Sequence, residues 1–201
     1  TEVLSNLRNA AREFFELPSI KKLKYTKINS PRKIISLRTS FLSEIEKIYE
    51  WNDKLTFMYV FYQKVQRFWF PICRKEVLKY IKSCEELVKK KLLKIILKLW
   101  NTKEIDKKKT LNAYGCRKNQ FNYCPKCPQH EFAIDIGHHS DISTITIILQ
   151  SVIRSFWVWK SKNDTWIHVF PINGVLMINV VDTLKIMIMD TVGVASICNC
   201  Y

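Results

Sequence analysis

Apolar residues recur at helical spacing through the first half of the chain and at alternate positions through the second. Val3, Leu4, Leu7, Ala11, Phe14 and Phe15 share one helical face within residues 1–16, and Pro18 closes that helix. Residues 19–42 read as basic and irregular, broken at Pro31. Helical patterning resumes from Ser43 to about Gln66, a stretch that includes Trp51 and several other aromatics. A long amphipathic helix is expected from about Arg74 to Trp100, with Val77, Ile81, Cys84, Val88, Leu92, Ile95 and Leu99 as its stripe.

After a polar segment at 101–118 the period shortens. β-rich runs fall at 118–123, 131–136, 143–150, 155–160, 165–169 and 175–181, separated by polar turns. Helices first and strands later define an α+β domain in which helices brace a barrel or sandwich.

Composition narrows this reading. The chain has 201 residues, 47% of them hydrophobic, enough for a real core. It opens at Thr1, which reads as a piece of a longer protein. No apolar run is long enough to span a bilayer, and no secretory leader pattern is visible, so neither a membrane nor export is expected. Seven cysteines without an extracellular signature read as reduced thiols in a cytoplasmic protein. The formal charge of +15 raises nucleic acid as a partner. The excess is mostly lysine, in runs at 89–91 and 107–109, while arginine, the bidentate reader of phosphate and guanine, is sparse. A solvated lysine-rich surface is the expectation, with no nucleic-acid partner.

The chemistry concentrates at Gly137-His138-His139-Ser140-Asp141, at the mouth of the β-branched run 142–150. On a strand or its edge, residues i and i+2 point to one side, so the His139 imidazole and the Asp141 carboxylate can converge on one ion. With a second histidine they would form the facial triad of non-heme Fe(II) oxygenases, which leaves three positions open. Taken alone, the pair is also what an ordinary polar strand end contains. Cys124-Pro125-Lys126-Cys127, with His130 close behind and Cys198-x-Cys200 later, could supply zinc ligands or a redox dithiol. A proline-rich turn carrying two free thiols is the simpler reading. His168 alternates with apolar neighbours in Thr165–Val169 and is expected on the other face of its strand, in a surface or supporting role. With four glycines, the chain has no phosphate loop and no nucleophile elbow. Its tryptophans and phenylalanines read as core.

Several stretches together resemble the plant 2-oxoglutarate- and Fe(II)-dependent dioxygenases. Phe121-Asn122-Tyr123-Cys124-Pro125-Lys126-Cys127-Pro128 is similar to their Asn-Tyr-Tyr-Pro-x-Cys-Pro strand and turn, and 137–150 to their His-x-Asp strand. Asp164–Pro171 and Gly174–Val180 resemble the strands that follow. Ala11–Pro18 and Lys22–Tyr25 resemble the N-terminal helical region. Thr39-Ser40-Phe41, Glu50-Trp51-Asn52-Asp53 and 68–78 look closest to the feruloyl-CoA ortho-hydroxylase branch, which makes coumarins.

The resemblance implies an incomplete double-stranded β-helix (jelly-roll) core at 118–187. Residues 1–117 would be the bracing helical region and 188–201 a divergent tail. It implies His139 and Asp141 as catalytic iron ligands, and Asn122 and Cys124 at the positions that meet the co-substrate. Fe(II) and 2-oxoglutarate would be the cofactors, with ascorbate supportive. The substrate would be a small molecule, a hydroxycinnamoyl-CoA hydroxylated ortho to its side chain, and the intact enzyme a monomer.

Departures from the pattern imply impairment. Cys124 replaces a tyrosine that meets 2-oxoglutarate, and a thiol is a shorter, weaker donor than a phenol. Arg154-Ser155 replace a Gly-Gly turn, and Val181 a glycine. The third iron ligand, a histidine, belongs at 197, where this chain has Ile197, and the family's Arg-x-Ser for the far carboxylate lies beyond Tyr201. A frameshift near Ile188 accounts for this. Regrouped codons permit Asn-Gly at the first two places and Glu-His across Ala195–Ile197; a genomic sequence unable to encode them ends the idea. The alternatives are a non-catalytic remnant and a basic zinc protein using Cys124 and Cys127.

Overall fold

The computed structural model describes residues 2–26, 28–30, 34–39, 41–42, 49–60, 67, 69–92, 94–95, 98, 116–128, 133–134, 139, 141, 143–151, 156–160, 163–180 and 195–199. They fall into two compact units, 1–39 with 53–123, and 40–52 with 124–201.

The first unit packs helices on a sheet. Helix α1 (Glu2–Phe15) buries Leu7, Ala10, Phe14 and Phe15, close to the face its apolar spacing defines. A one-turn helix α2 (Ser19–Lys22) and a 3₁₀ turn (Leu23–Tyr25) follow. Helix α3 (Pro71–Leu87) starts with Pro71 in its first turn, where a missing N–H costs nothing. It buries Cys73, Val77, Tyr80 and Ile81, and continues as a π turn at Val88–Leu92. Strands β1 (Ile35–Arg38), β4 (Asp53–Val60) and β5 (Cys116–Tyr123) form an antiparallel sheet in the order β1-β4-β5.

Aromatic rings fill the space between these layers. Phe14 meets Phe15, Tyr25 and Phe70 edge-to-face at 5.1–5.7 Å, and Phe57 meets Trp69 and Phe121 at 5.3 and 5.4 Å. The Cys73 thiol donates to the Ala10 carbonyl at 3.2 Å, tying α3 to α1. Burial, with the Glu13 charge adding to it, pushes that thiol up from its ordinary 9.0 to about 12. Arg117 of β5 pairs with Glu85 of α3 where both are largely buried.

One helical expectation gives way here. Within 43–66 the described residues form β3 (Tyr49–Glu50) and β4, not a helix. Leu55 and Phe57 are fully buried at alternate positions, the period of a strand. The basic segment 19–42 also holds α2, β1 and β2 (Phe41–Leu42). The expected 74–100 helix is present as α3 from Pro71 to Leu87 and the π turn at Val88–Leu92, and the described residues 94, 95 and 98 beyond it are again helical.

The second unit is built from strands. β2 pairs antiparallel with β3, and β3 pairs parallel with β6 (Ala133–Ile134). β7 (Ile145–Ile148) pairs antiparallel with β10 (Met177–Val180). β8 (Phe156–Lys160) lies between β9 (Thr165–His168) and β11 (Ala195–Asn199), antiparallel to both. Asp164 enters β9 at φ 52°, a left-handed conformation that aspartate tolerates better than most residues. The six β-rich runs read from 118 onward overlap β5 to β10 in turn. Arg154, Ser155 and Val181 lie outside the described residues.

Candidate metal centre

β7 is a β-branched run with one polar residue, and the chain just before it carries the acid and the imidazole. His139 Nε2 lies 3.8 Å from Asp141 Oδ1, so the two side chains face each other as their i,i+2 spacing predicts. The site is open: the His139 side chain is 41% exposed and that of Asp141 26%. Thr146 of β7 donates its hydroxyl to the other carboxylate oxygen, Asp141 Oδ2, at 2.7 Å. Ser143 Oγ lies 3.1 Å from Thr146 Oγ1. Opposite Thr146 in the ladder is Asn179 of β10, whose buried Nδ2 has no hydrogen-bond partner among the described residues.

Neighbouring donors on an octahedral ion with bonds of about 2.1 Å lie about 3 Å apart. The His139–Asp141 pair therefore fits two adjacent positions on one Fe(II) after closing by less than about 1 Å. An imidazole and a carboxylate are the donor set such an ion takes. Among the described residues no group of three His, Cys, Asp or Glu side chains is placed to hold a metal. Ile197 sits in β11 opposite Val158 of β8.

The other candidates lie on other segments of the chain. Asn122 belongs to β5 in the first unit, where its Oδ1 accepts from Gln120 Nε2 at 2.7 Å. Cys124 and Cys127 follow β5 as half-buried cysteines outside any disulfide, and His138, His130 and Cys200 lie outside the described residues. His168 lies between the Trp157 ring, its ladder partner at 4.8 Å, and Phe170 at 4.3 Å. Its Nε2 is buried without a partner among the described residues. Sequence reasoning passed over Thr146, Ser143 and Asn179. The available signal was a single polar residue inside each of two apolar runs, Ile145-Thr146-Ile147-Ile148 and Met177-Ile178-Asn179-Val180.

Residues 116–192, which span this site, match the sequence model of the 2OG-Fe(II) oxygenase superfamily. That segment is a 2OG-Fe(II) oxygenase domain, and members of the superfamily use Fe(II) and 2-oxoglutarate. It is 41% identical over 186 residues to a bi-functional coumaroyl CoA and feruloyl CoA ortho-hydroxylase of Ipomoea batatas, covering 92% of this chain and 52% of the relative. A bi-functional coumaroyl CoA and feruloyl CoA ortho-hydroxylase of Ruta graveolens is 41% identical over 188 residues, 92% of this chain and 51% of the relative. The chain thus spans about half the length of these curated relatives. Two solved structures share its fold. JOX2 in complex with 2OG, Fe and JA matches with a TM-score of 0.75 at 23% identity, over 99% of this chain and 59% of that one. A full-length Neurospora crassa protein in complex with alpha-KG matches with 0.77 at 15% identity, over 99% and 65%. The fold is therefore the double-stranded β-helix of these oxygenases, together with helices. Among the described residues no helix is long and apolar enough to cross a membrane.

Proposed function

We propose that this chain carries the iron-holding strand of a 2-oxoglutarate-dependent hydroxylase whose substrates are hydroxycinnamoyl-CoA thioesters. One observation carries the reading: His139 Nε2 and Asp141 Oδ1 face each other at 3.8 Å inside the segment that matches the superfamily. The substrate class rests on the two ortho-hydroxylases at 41% identity. When bound, Fe(II) with 2-oxoglutarate and O₂ supplies the oxidising power for hydroxylation of the aromatic ring, the co-substrate leaving as succinate and CO₂. His139 and Asp141 are the protein's two ligands in this reading. Thr146 holds the far oxygen of Asp141. Asn122 and Cys124 are proposed to contact 2-oxoglutarate, Cys124 more weakly than a phenol would.

Position 197, where the family's spacing sets a third ligand, is Ile197. The site then holds its ion by two protein donors, and turnover is slow. In the test, the chain is supplied with Fe(II), 2-oxoglutarate, O₂ and feruloyl- or coumaroyl-CoA, and succinate and hydroxylated product are measured. The reading expects low turnover that needs His139 and rises with these thioesters. Turnover untouched by His139→Ala, or raised equally by an aliphatic acyl-CoA, overturns it.

A further inference from the structure

The hydroxyls beside Asp141 have a direction. An ionised carboxylate only accepts, so in the 2.7 Å contact Thr146 Oγ1 must donate to Asp141 Oδ2. A threonine hydroxyl has one proton, and here it is committed. The 3.1 Å contact between Ser143 Oγ and Thr146 Oγ1, which geometry alone leaves open, must then run from Ser143 to Thr146. The result is a one-way chain, Ser143 to Thr146 to Asp141. Each donor is polarised by the one behind it.

From this we infer that Ser143 and Thr146 form a positioning relay that makes Asp141 a single-oxygen ligand, presenting Oδ1 beside His139 and withholding Oδ2. The inference rests on the proposed iron site and adds to it residues that no ligand pattern identifies. Three observations support it. The relay engages Oδ2, while the oxygen facing His139 Nε2 is Oδ1. Thr146 is anchored in β7 by the ladder to β10, so its hydroxyl is offered from a fixed backbone, whereas Asp141 precedes the strand. Thr146 is also the one polar side chain in β7, where β-branched apolar residues otherwise fill the run. A carboxylate free to rotate could close on an ion with both oxygens and occupy a position that the co-substrate needs. Fixing one oxygen by a hydrogen bond prevents that, the usual task of groups behind a metal ligand.

Anaerobic Co(II) binding, followed by titration and by the cobalt visible spectrum, tests the inference on the whole chain. Thr146→Val keeps the shape and removes the proton donor. It is expected to weaken Co(II) binding on the order of tenfold or more and to shift the cobalt bands as the carboxylate turns two-oxygen. Thr146→Ser restores the hydroxyl and is expected to bind within about twofold of the parent, a rescue that a purely structural role of threonine's methyl group would not give. Ser143→Ala, on an exposed residue, is expected to lose a few-fold, and it decides the matter if Thr146→Val does not fold. Unchanged affinity and spectrum in Thr146→Val, or in Ser143→Ala where the valine variant fails to fold, overturns the relay. In that case the parent still binds and His139→Ala does not, so the iron site stands. If the parent takes up no Co(II), or His139→Ala takes up as much, the iron site itself falls and the relay with it.

Discussion

Thr146 holds one oxygen of Asp141 at 2.7 Å, leaving the other to face His139 Nε2 at 3.8 Å. A strand residue thereby orients an acid that lies outside the strand. Two protein donors on one ion make a weak site, because each ligand of an open-faced centre contributes much of the affinity.

Ile197→His tests whether position 197 is the place of a third ligand. If 197 is the third-ligand place, the variant tightens anaerobic Fe(II) binding tenfold or more, at least the order of what a supporting partner contributes at metal sites, about 10–100-fold. An affinity equal to the parent's would show that β11 does not present position 197 to this pair.

The first unit depends on its ring cluster. Phe57 is fully buried and packs edge-to-face on Trp69 and Phe121. Phe57→Ala is expected to destabilise the chain by about 3–5 kcal/mol in urea unfolding. A loss below about 1 kcal/mol would mean that β4 is not the centre of this core.

Alkaline stability follows from Cys73. Its thiol is pushed to about 12 in the folded chain against an ordinary 9.0, so the folded state holds the proton where the unfolded state has lost it. The contribution is complete below pH 9 and is lost as pH rises toward 12, at up to about 1.4 kcal/mol per pH unit. Burial pushes the Tyr80 hydroxyl and the Cys84 thiol in the same direction. Urea midpoints measured from pH 8 to 11 should fall less steeply in Cys73→Ala than in the parent. Parallel slopes would contradict this account.

The backbone at Asp164 supplies a local test. At φ 52° a β-branched residue is strained, so Asp164→Val is expected to cost about 1–2 kcal/mol, read by chemical denaturation. No loss would mean that this residue relaxes to negative φ.

What the sequence made legible follows from periodicity. β9 alternates in burial along Thr165–His168, and α1 repeats Leu7, Ala11 and Phe14 at helical spacing, so both periods were readable. β4 was not, because Leu55, Phe57, Met58, Tyr59 and Val60 are too densely apolar to favour a period of 2 over 3.6. His139 and Asp141 were readable because i,i+2 has a fixed geometric meaning. Thr146 was not, since a hydroxyl reaching back five residues across a turn leaves no periodic trace. The ring contacts of Phe14 with Phe70 and of Phe57 with Phe121 join residues more than forty positions apart, and no local pattern encodes them.

The central claim is that His139 and Asp141 hold one Fe(II). Anaerobic equilibrium dialysis of Fe(II) against the parent chain and His139→Ala measures this directly. His139 is exposed, so its removal should leave the unfolding midpoint within about 0.5 kcal/mol and isolate binding from folding. The account predicts one weakly held equivalent in the parent and at least a tenfold weaker affinity in the variant. Equal binding by both chains, or none by the parent, would contradict it.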